Sequence, residues 1–424
     1  MKQTEFKTEV MAGITSYLAT LYIVIVNPSI LQHAGIPFTA LVTSTVLVCS
    51  VSSIAMGLFA KNPIVVAPGM GLNAFFTYTL VHQQNLSPQI ALGAVFWSGL
   101  IFMLMSAFGI REKIANAIPY SIRIGVTAGI GLFIAFIGFK NAGIIIANKA
   151  TIIGSGDFGN SAFIFAAGLI FTVFLHIKKV NAALLWGILF TTLLSFLSGR
   201  LYGDEILVAF GSIVQYPDFS LIGELDIMGS LKWSLLPAIL SLLFTDFFDS
   251  VSTFMSVAEA ADLKDKNGQP KNLRASLLVD GFSTFFSGLV GSSPGTAYIE
   301  SACGVKQGGR TGVVAIVAGI LFLPLMFFSP LVSSIPIIAT APVLVLVGVF
   351  MMAPLSKISW NNWEDAVPTF MVFFLIPFSF SITIGIVSGL LTWLILKILL
   401  KRWEDISIIS IILGILSAIF LVLK

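Results

Sequence analysis

The sequence predicts an all-α polytopic membrane protein with about 14 transmembrane segments, built as two inverted seven-span repeats. Three observations carry this expectation: an apolar composition, loop charges that alternate along the chain, and a matched pair of Pro-Gly interruptions. Of 424 residues, 57% are hydrophobic and 10% charged, and the mean hydropathy is +1.00. A soluble chain is nearer a quarter charged, so there is too little polar surface here to cover a water-soluble body of this size. That excludes a cytosolic enzyme, a secreted domain and a nucleic-acid-binding protein. Cys49 and Cys303 both sit in apolar runs, which implies neither a disulfide framework nor a zinc cluster. His33, His82 and His176 share no metal-ligand spacing, and no metal or cofactor is expected.

A helix needs about 20 apolar residues to cross the hydrocarbon core. Segments 9–31, 38–60, 63–81, 89–109, 119–140, 161–177 and 181–199 meet that test in the first half. Segments 232–258, 274–291, 293–305, 309–329, 332–353, 366–380 and 381–400 follow in the second. The first is no cleavable signal, because it is long, ends in Asn27-Pro28 and is followed at once by another span. A further apolar stretch, 406–423, either crosses or lies along the surface. With Lys2 and Lys7 on the cytoplasmic side, alternate loops carry Lys61; Arg111, Lys113 and Arg123; Lys178 and Lys179; Lys264, Lys266, Lys271 and Arg274; Lys306 and Arg310; Lys357; and Lys401 and Arg402. The opposite loops hold only Lys140, Lys149, Arg200 and Lys232. The positive-inside rule then places the N-terminus in the cytoplasm of a multi-pass protein of the cell membrane.

The longest polar connection, 203–231, divides the chain into a first repeat (1–202) and a second (232–402), followed by a C-terminal hydrophobic segment (403–424). Seven is odd, so two seven-span halves have opposite orientations, which is the arithmetic of an inverted repeat. The third segment of each half is interrupted: NPIVVAPGMGLNAFF around Pro68-Gly69, and GSSPGTAYIESACGV around Pro294-Gly295. Proline removes a backbone donor and glycine admits close backbone approach. Each segment is therefore expected to be part short strand and part short helix, which membrane depth tolerates only around a protein-lined site. GMGLNA matches a dinucleotide-binding fingerprint in letters, but no βαβ unit surrounds it. Gly125 and Gly129 are read as a close-packing pair.

Acidic groups inside spans are costly and usually functional. The eighth segment reads LLFTDFFDSVSTFMSV, and the spacing of Asp246 and Asp249 puts both on one helix face. Glu300 follows the second Pro-Gly break, and Asn73 stands in the corresponding part of segment three. Three carboxylates gathered in a low dielectric without a Lys or Arg cannot all be charged, so a proton is the natural companion of this site. Phe75 and Phe76 flank Asn73 and could stack on a flat ligand. Asp280, near the loop side of segment nine, is read as a partner of backbone or of a loop arginine such as Arg310.

At these residues the chain resembles a known family. APGMGLNAFF, TDFFDSVST and YIESACGVKQGGRTG are similar to the signatures of AzgA-like purine permeases, of the nucleobase–cation symporter-2 group. AGITSYLATLYIVIVNPSIL and IRIGVTAGIGLFIAFIGFKNAG resemble the same branch, so the likeness runs from Phe6 to about Lys401. It implies a core domain (spans one to four and eight to eleven), a gate domain (five to seven and twelve to fourteen), and short antiparallel strands in spans three and ten. It further implies import of a purine nucleobase (adenine, guanine or hypoxanthine) with protons, sodium being the alternative ion, and it allows a homodimer. Carried over by motif, Asp249 and Glu300 contact the base, Asn73, Phe75 and Gly295 complete the substrate site, and Asp246, Asp249 and Glu300 couple the proton. Ser252 and the run Ser293 to Ala297 depart from the branch's usual glycine and its threonine- and valine-rich run, which bears on the exact base accepted. Two other classes compete. An anion exchanger or channel on the same fold wants cations where this chain has acids. A membrane-embedded enzyme wants a catalytic motif; H-E-x-x-H does not occur, and the letters G-x-S-x-G occur only at Gly291 to Gly295, inside the interrupted tenth segment.

Overall fold

The computed structural model describes residues 3–108, 119–148, 150–156, 158–202, 212–261, 263, 270–408, 410, 411, 414, 415, 417 and 418. Among them, ten helices are long and apolar enough to cross a membrane. Four shorter crossings bring the total to fourteen: Ala183–Ser198, the 17-residue helix Trp363–Ser379, and the two interrupted segments.

The first half runs α1 (Gln3–Thr20), α2 (Ile23–Leu31), α3 (Phe38–Ala55), β1 (Val66–Pro68), α4 (Met70–Ala74), α5 (Pro88–Ala107) and α6 (Tyr120–Asn141). It continues through a hairpin of β2 (Ile145–Asn148) and β3 (Ile152–Ser155) to α7 (Asn160–Ile177) and α8 (Ala183–Tyr202). The second half runs α9 (Leu236–Ala261), α10 (Leu273–Val290), β4 (Gly295–Ala297), α11 (Ala302–Lys306), α12 (Val313–Phe322), α13 (Ser329–Ser333), α14 (Ile337–Met352), α15 (Trp363–Ser379) and α16 (Ile382–Leu399). The two halves are inverted repeats. Their interrupted third segments meet as an antiparallel pair, β1 with β4, in the register Val66↔Ala297, Ala67↔Thr296 and Pro68↔Gly295.

Packing sorts the helices into two bodies. In one, α5 lies along α10, and α12 along α1 and α3; in the other, α6 lies along α14 and α15, and α7 and α8 pack on each other and on α14. Contacts between the bodies are sparser and run through α4, α9, α6 and α16. These are the core and gate domains.

Small residues set the closest approaches. A side chain at Gly99 would strike the Phe285 backbone of α10, and one at Gly125 or Gly129 would strike α15 at Thr369, Val372 and Ile376. The G-x-x-x-G pair is thus a packing device inside the gate. The connection after α8 is described from residue 212. It packs back on the core, with Gly223 N–H on the Leu289 carbonyl and Asp226 N–H on the Gln89 carbonyl, both at 2.9 Å.

Several expectations are refined. The first span breaks at Leu21-Tyr22, while Pro28 lies inside α2. A proline costs a helix one donor and one carbonyl partner without ending it when neighbouring helices fill in. Arg310 gives its guanidinium to the Val305 and Gly309 carbonyls, and its backbone N–H goes to Glu9 at 2.9 Å. Asp280 is buried in α10. Residues 262 and 264–269 of the charged loop 259–274, read as a solvated connector, and the loop carrying Arg111 and Lys113, lie outside the described residues. So does much of 406–423, whose described positions 408, 410, 411, 414, 415, 417 and 418 are helical.

Candidate functional site

The strand pair has its own polar scaffold. Tyr298 N–H reaches the Val65 carbonyl at 3.0 Å, and Gly69 N–H the Pro294 carbonyl at 2.9 Å. Ser53 Oγ accepts from Val66 N–H (3.0 Å), Ser301 Oγ accepts from Val65 N–H (2.9 Å), and Tyr298 Oη donates to the Pro68 carbonyl (2.5 Å). Side-chain hydroxyls from α3 and the tenth segment therefore supply what a two-stranded sheet leaves unpaired, as a buried backbone requires.

A small cavity lies beside this scaffold, between the two bodies. Gly71, Leu72, Thr245, Phe248 and Asp249 form its core wall; Val126, Thr127, Ile130 and Met351 form its gate wall. Its volume is about 10 Å³, which is room for roughly one water. No Lys or Arg lines it.

The expected site residues occupy different layers around this crevice. Asp249 lines it and is partly accessible. Glu300, half-buried in the turn Ile299–Ser301 that leads into α11, lies within electrostatic reach of Asp249. Its Oε1 accepts from Tyr22 Oη at 2.6 Å, and Tyr22 itself is fully buried. Asp246 points elsewhere and is fully buried: the Thr284 hydroxyl of α10 is shared between Asp246 Oδ2 (2.5 Å) and the Gly295 carbonyl (3.1 Å). Three residues along a helix leave about 60° between side chains, and here that angle separates a crevice-facing acid from one facing α10.

Asn73 belongs to a second buried lattice. Its Nδ2 donates to Asn27 Oδ1 (3.2 Å), which also accepts from Ser293 Oγ (3.1 Å). Asn27 Nδ2 in turn donates to Thr45 (2.8 Å) and Ser292 (3.2 Å). Asn73 Oδ1 is left without a partner. Phe75 and Phe76 are fully buried in the main apolar core, and Phe248 is the ring at the crevice. Gly295 sits where any side chain would strike Ser283 Oγ and Val48, so its glycine serves strand-to-helix packing. Reading by motif did not single out Tyr22, Asn27, Thr245 or Thr284. A lone polar residue in an apolar helix carries no spacing signal, and a partner lies outside its own helix, 38 residues away for Thr284 and Asp246 and 278 for Tyr22 and Glu300.

Chemically, the crevice offers one acid on its wall and a second close behind, hydroxyls from both bodies, one aromatic ring and no cation. Such a set accepts N–H groups and suits a neutral ligand that brings its own donors.

A sequence model described as "Permease family" matches residues 7–389. The chain is 40% identical over 423 residues to the adenine permease AdeQ of Escherichia coli (strain K12), covering 99% of this chain and 94% of that one. It is 36% identical over 427 residues to the guanine/hypoxanthine permease PbuO of Bacillus subtilis (strain 168), covering 98% and 97%. Among solved structures, the transmembrane domain of the cyanobacterial bicarbonate transporter BicA aligns with a TM-score of 0.67 at 17% identity, over 92% of this chain and 98% of that one. At that identity the likeness speaks for the fold alone.

Proposed function

The chain belongs to the Permease family, in its AzgA-like purine branch, and from that premise we propose that it imports purine nucleobases (adenine, guanine or hypoxanthine) across the cytoplasmic membrane by proton symport. The observation that carries this reading is Asp249: an acid on the wall of a cation-free crevice where core meets gate, with Glu300 in electrostatic reach. Close relatives named for adenine and for guanine/hypoxanthine support the choice of purines.

In this mechanism the carboxylates of Asp249 and Glu300 accept from the ring N–H groups of the base. Tyr22 holds Glu300 in place, and Asn73 contributes an amide whose Oδ1 is still open. Phe75, buried in the apolar core, and Gly295, packed against Ser283 and Val48, support the site from behind. Asp246, Asp249 and Glu300 together take up the coupled proton, since a cluster of acids moves through an apolar seam more cheaply once neutralised. A crevice of about 10 Å³ cannot hold a base, so binding and release require core and gate to part.

The fold shared with a bicarbonate transporter does not make an anion the natural cargo. Anions want cationic or dipolar partners, and the crevice presents carboxylates. The test is uptake of radiolabelled adenine, hypoxanthine and bicarbonate in a transport-deficient host, with and without a proton uncoupler. Purine uptake that the uncoupler abolishes supports the reading. Purine uptake indifferent to the uncoupler removes the proton, and bicarbonate flux without purine uptake removes the purine.

A further inference from the structure

Adenine carries an amino donor at C6, whereas hypoxanthine and guanine carry an oxo acceptor there. A site that takes both needs an ambivalent partner at that position. Carboxylates only accept, but a hydroxyl does both. Two hydroxyls line the crevice. Thr127 Oγ1 already donates to the Arg123 carbonyl at 3.3 Å. Thr245 Oγ1 has no partner although the residue is 3% exposed.

Six buried serine hydroxyls among the described residues, at Ser16, Ser50, Ser52, Ser98, Ser121 and Ser283, are open in the same way, but none of them lines the crevice, and the state is not the habit of the buried threonines. Thr20, Thr45, Thr172 and Thr191 donate to the carbonyl one turn back, at 2.6 to 2.8 Å. Thr245 does not use the Ser241 carbonyl, and among the described residues it is the one threonine whose hydroxyl is itself sealed from solvent and lacks a partner. A buried hydroxyl left open costs free energy unless something meets it in another state of the protein. It stands one helical turn before Asp249 on the same wall of the crevice.

We infer that Thr245 is a specificity-determining residue whose hydroxyl pairs with the C6 substituent of the base, donating to a 6-oxo group and accepting from a 6-amino group. The inference rests on the purine reading above. Asp249 and Glu300 hold the ring N–H groups, and Thr245 makes the site tolerant of both purine classes.

The experiment is competition of unlabelled adenine, hypoxanthine and unsubstituted purine against labelled hypoxanthine, in cells expressing the full chain, Thr245→Val or Thr245→Ser. Valine keeps the shape and removes the hydroxyl. For Thr245→Val, the inhibition constants of adenine and hypoxanthine rise about tenfold, as for a buried polar group left unpaired, while that of unsubstituted purine moves less than twofold. Thr245→Ser stays within threefold of the parent for all three. Equal constants for parent and valine variant, or an equal rise for all three bases, overturns the assignment. Should the valine variant fail to reach the membrane, Thr245→Ala is read in the same way. Absence of both hydroxyl-free variants from the membrane while Thr245→Ser persists makes the hydroxyl a folding element and also overturns it. No hypoxanthine uptake by the parent chain defeats the purine reading itself, and this inference with it.

Discussion

Tyr22→Phe is the sharpest single perturbation the site offers. Tyr22 is fully buried where the first span breaks between α1 and α2, and its hydroxyl donates to Glu300 Oε1 at 2.6 Å. Phenylalanine keeps the ring, so the surrounding packing is preserved and only the oxygen is lost. A hydrogen bond to a charged group contributes about 1.5–3 kcal/mol, more than a neutral pair. Part of that returns if Glu300 finds water in the crevice, which leaves about 1–2 kcal/mol as the net effect on a Glu300 poised for substrate. At about 1.4 kcal/mol per factor of ten, the KM for hypoxanthine uptake rises roughly 5- to 30-fold. The protein still accumulates in the membrane. Tyr22→Ala is the contrasting variant: emptying a large, fully buried site costs about 3–5 kcal/mol, so it loses folded protein before it reveals anything about transport. The assay is initial-rate uptake over a substrate range, normalised to folded protein by size-exclusion in detergent. A Tyr22→Phe KM within twofold of the parent, alongside an inactive Glu300→Gln, refutes the idea that this hydroxyl orients the acid.

Three further outcomes follow from the same geometry. Thr284→Val strips the shared hydroxyl from Asp246 and from the Gly295 carbonyl, lowering stability by about 1–3 kcal/mol, whereas Thr284→Ser retains it; thermal unfolding in detergent separates the two. Gly99→Ala drives a methyl into the Phe285 backbone, which cannot swing aside, while Gly159→Ala meets nothing; the first costs about 1–3 kcal/mol and the second is near neutral by the same unfolding measurement. Lys397 donates to Asp405 at 2.7 Å and to Glu364 at 2.9 Å, and Arg402 adds a contact to Glu364 at 3.2 Å. The hydrogen bond from Lys397 holds the Asp405 carboxyl below its ordinary range. Its contribution is therefore complete above the ordinary carboxylate pKa of about 3.9 and fades only as pH falls through the lowered value. Trypsin cleavage at Lys401 and Arg402, normalised at each pH to that of a free peptide substrate, should be constant from pH 5 to 8 for the parent and faster throughout for Lys397→Met, a modest change because Asp405 is half-exposed and such pairs contribute only about 0.2–1 kcal/mol.

Much of the fold was legible because its signals are local. Hydropathy and loop charge locate the crossings, and proline beside glycine is rare enough in an apolar run that Pro68-Gly69 and Pro294-Gly295 announce the two interrupted spans. Their register was not legible. That Pro68 faces Gly295 depends on Ser53 of α3 and on Tyr298 and Ser301 of the tenth segment, two stretches far apart in the chain. The break within the first span was not legible either, for a related reason. Pro28 looks like a terminator in isolation, but α2 continues through it, and the helix gives way at Leu21-Tyr22, where no breaker residue stands.

The candidate site lies at the other extreme, because it is a surface between two bodies and not a motif. A period of three places Asp246 and Asp249 on one helical face, yet a face about 60° wide can border two different neighbours. Asp249 looks into the seam with the gate, and Asp246 looks at Thr284 within the core. Asn73 stands beside the Pro-Gly break as a binding amide would, but its Nδ2 is committed to Asn27. The gate wall, from Val126 and Thr127 to Met351, carries no chemically distinctive residue at all. What makes those positions matter is that α6 and α14 hold them opposite Asp249. The information needed to find them is the packing of one body on the other, which no local pattern encodes. A transporter whose substrate site opens and closes along such a seam therefore shows its acids in sequence and keeps the other half of its pocket hidden until the two bodies are seen together.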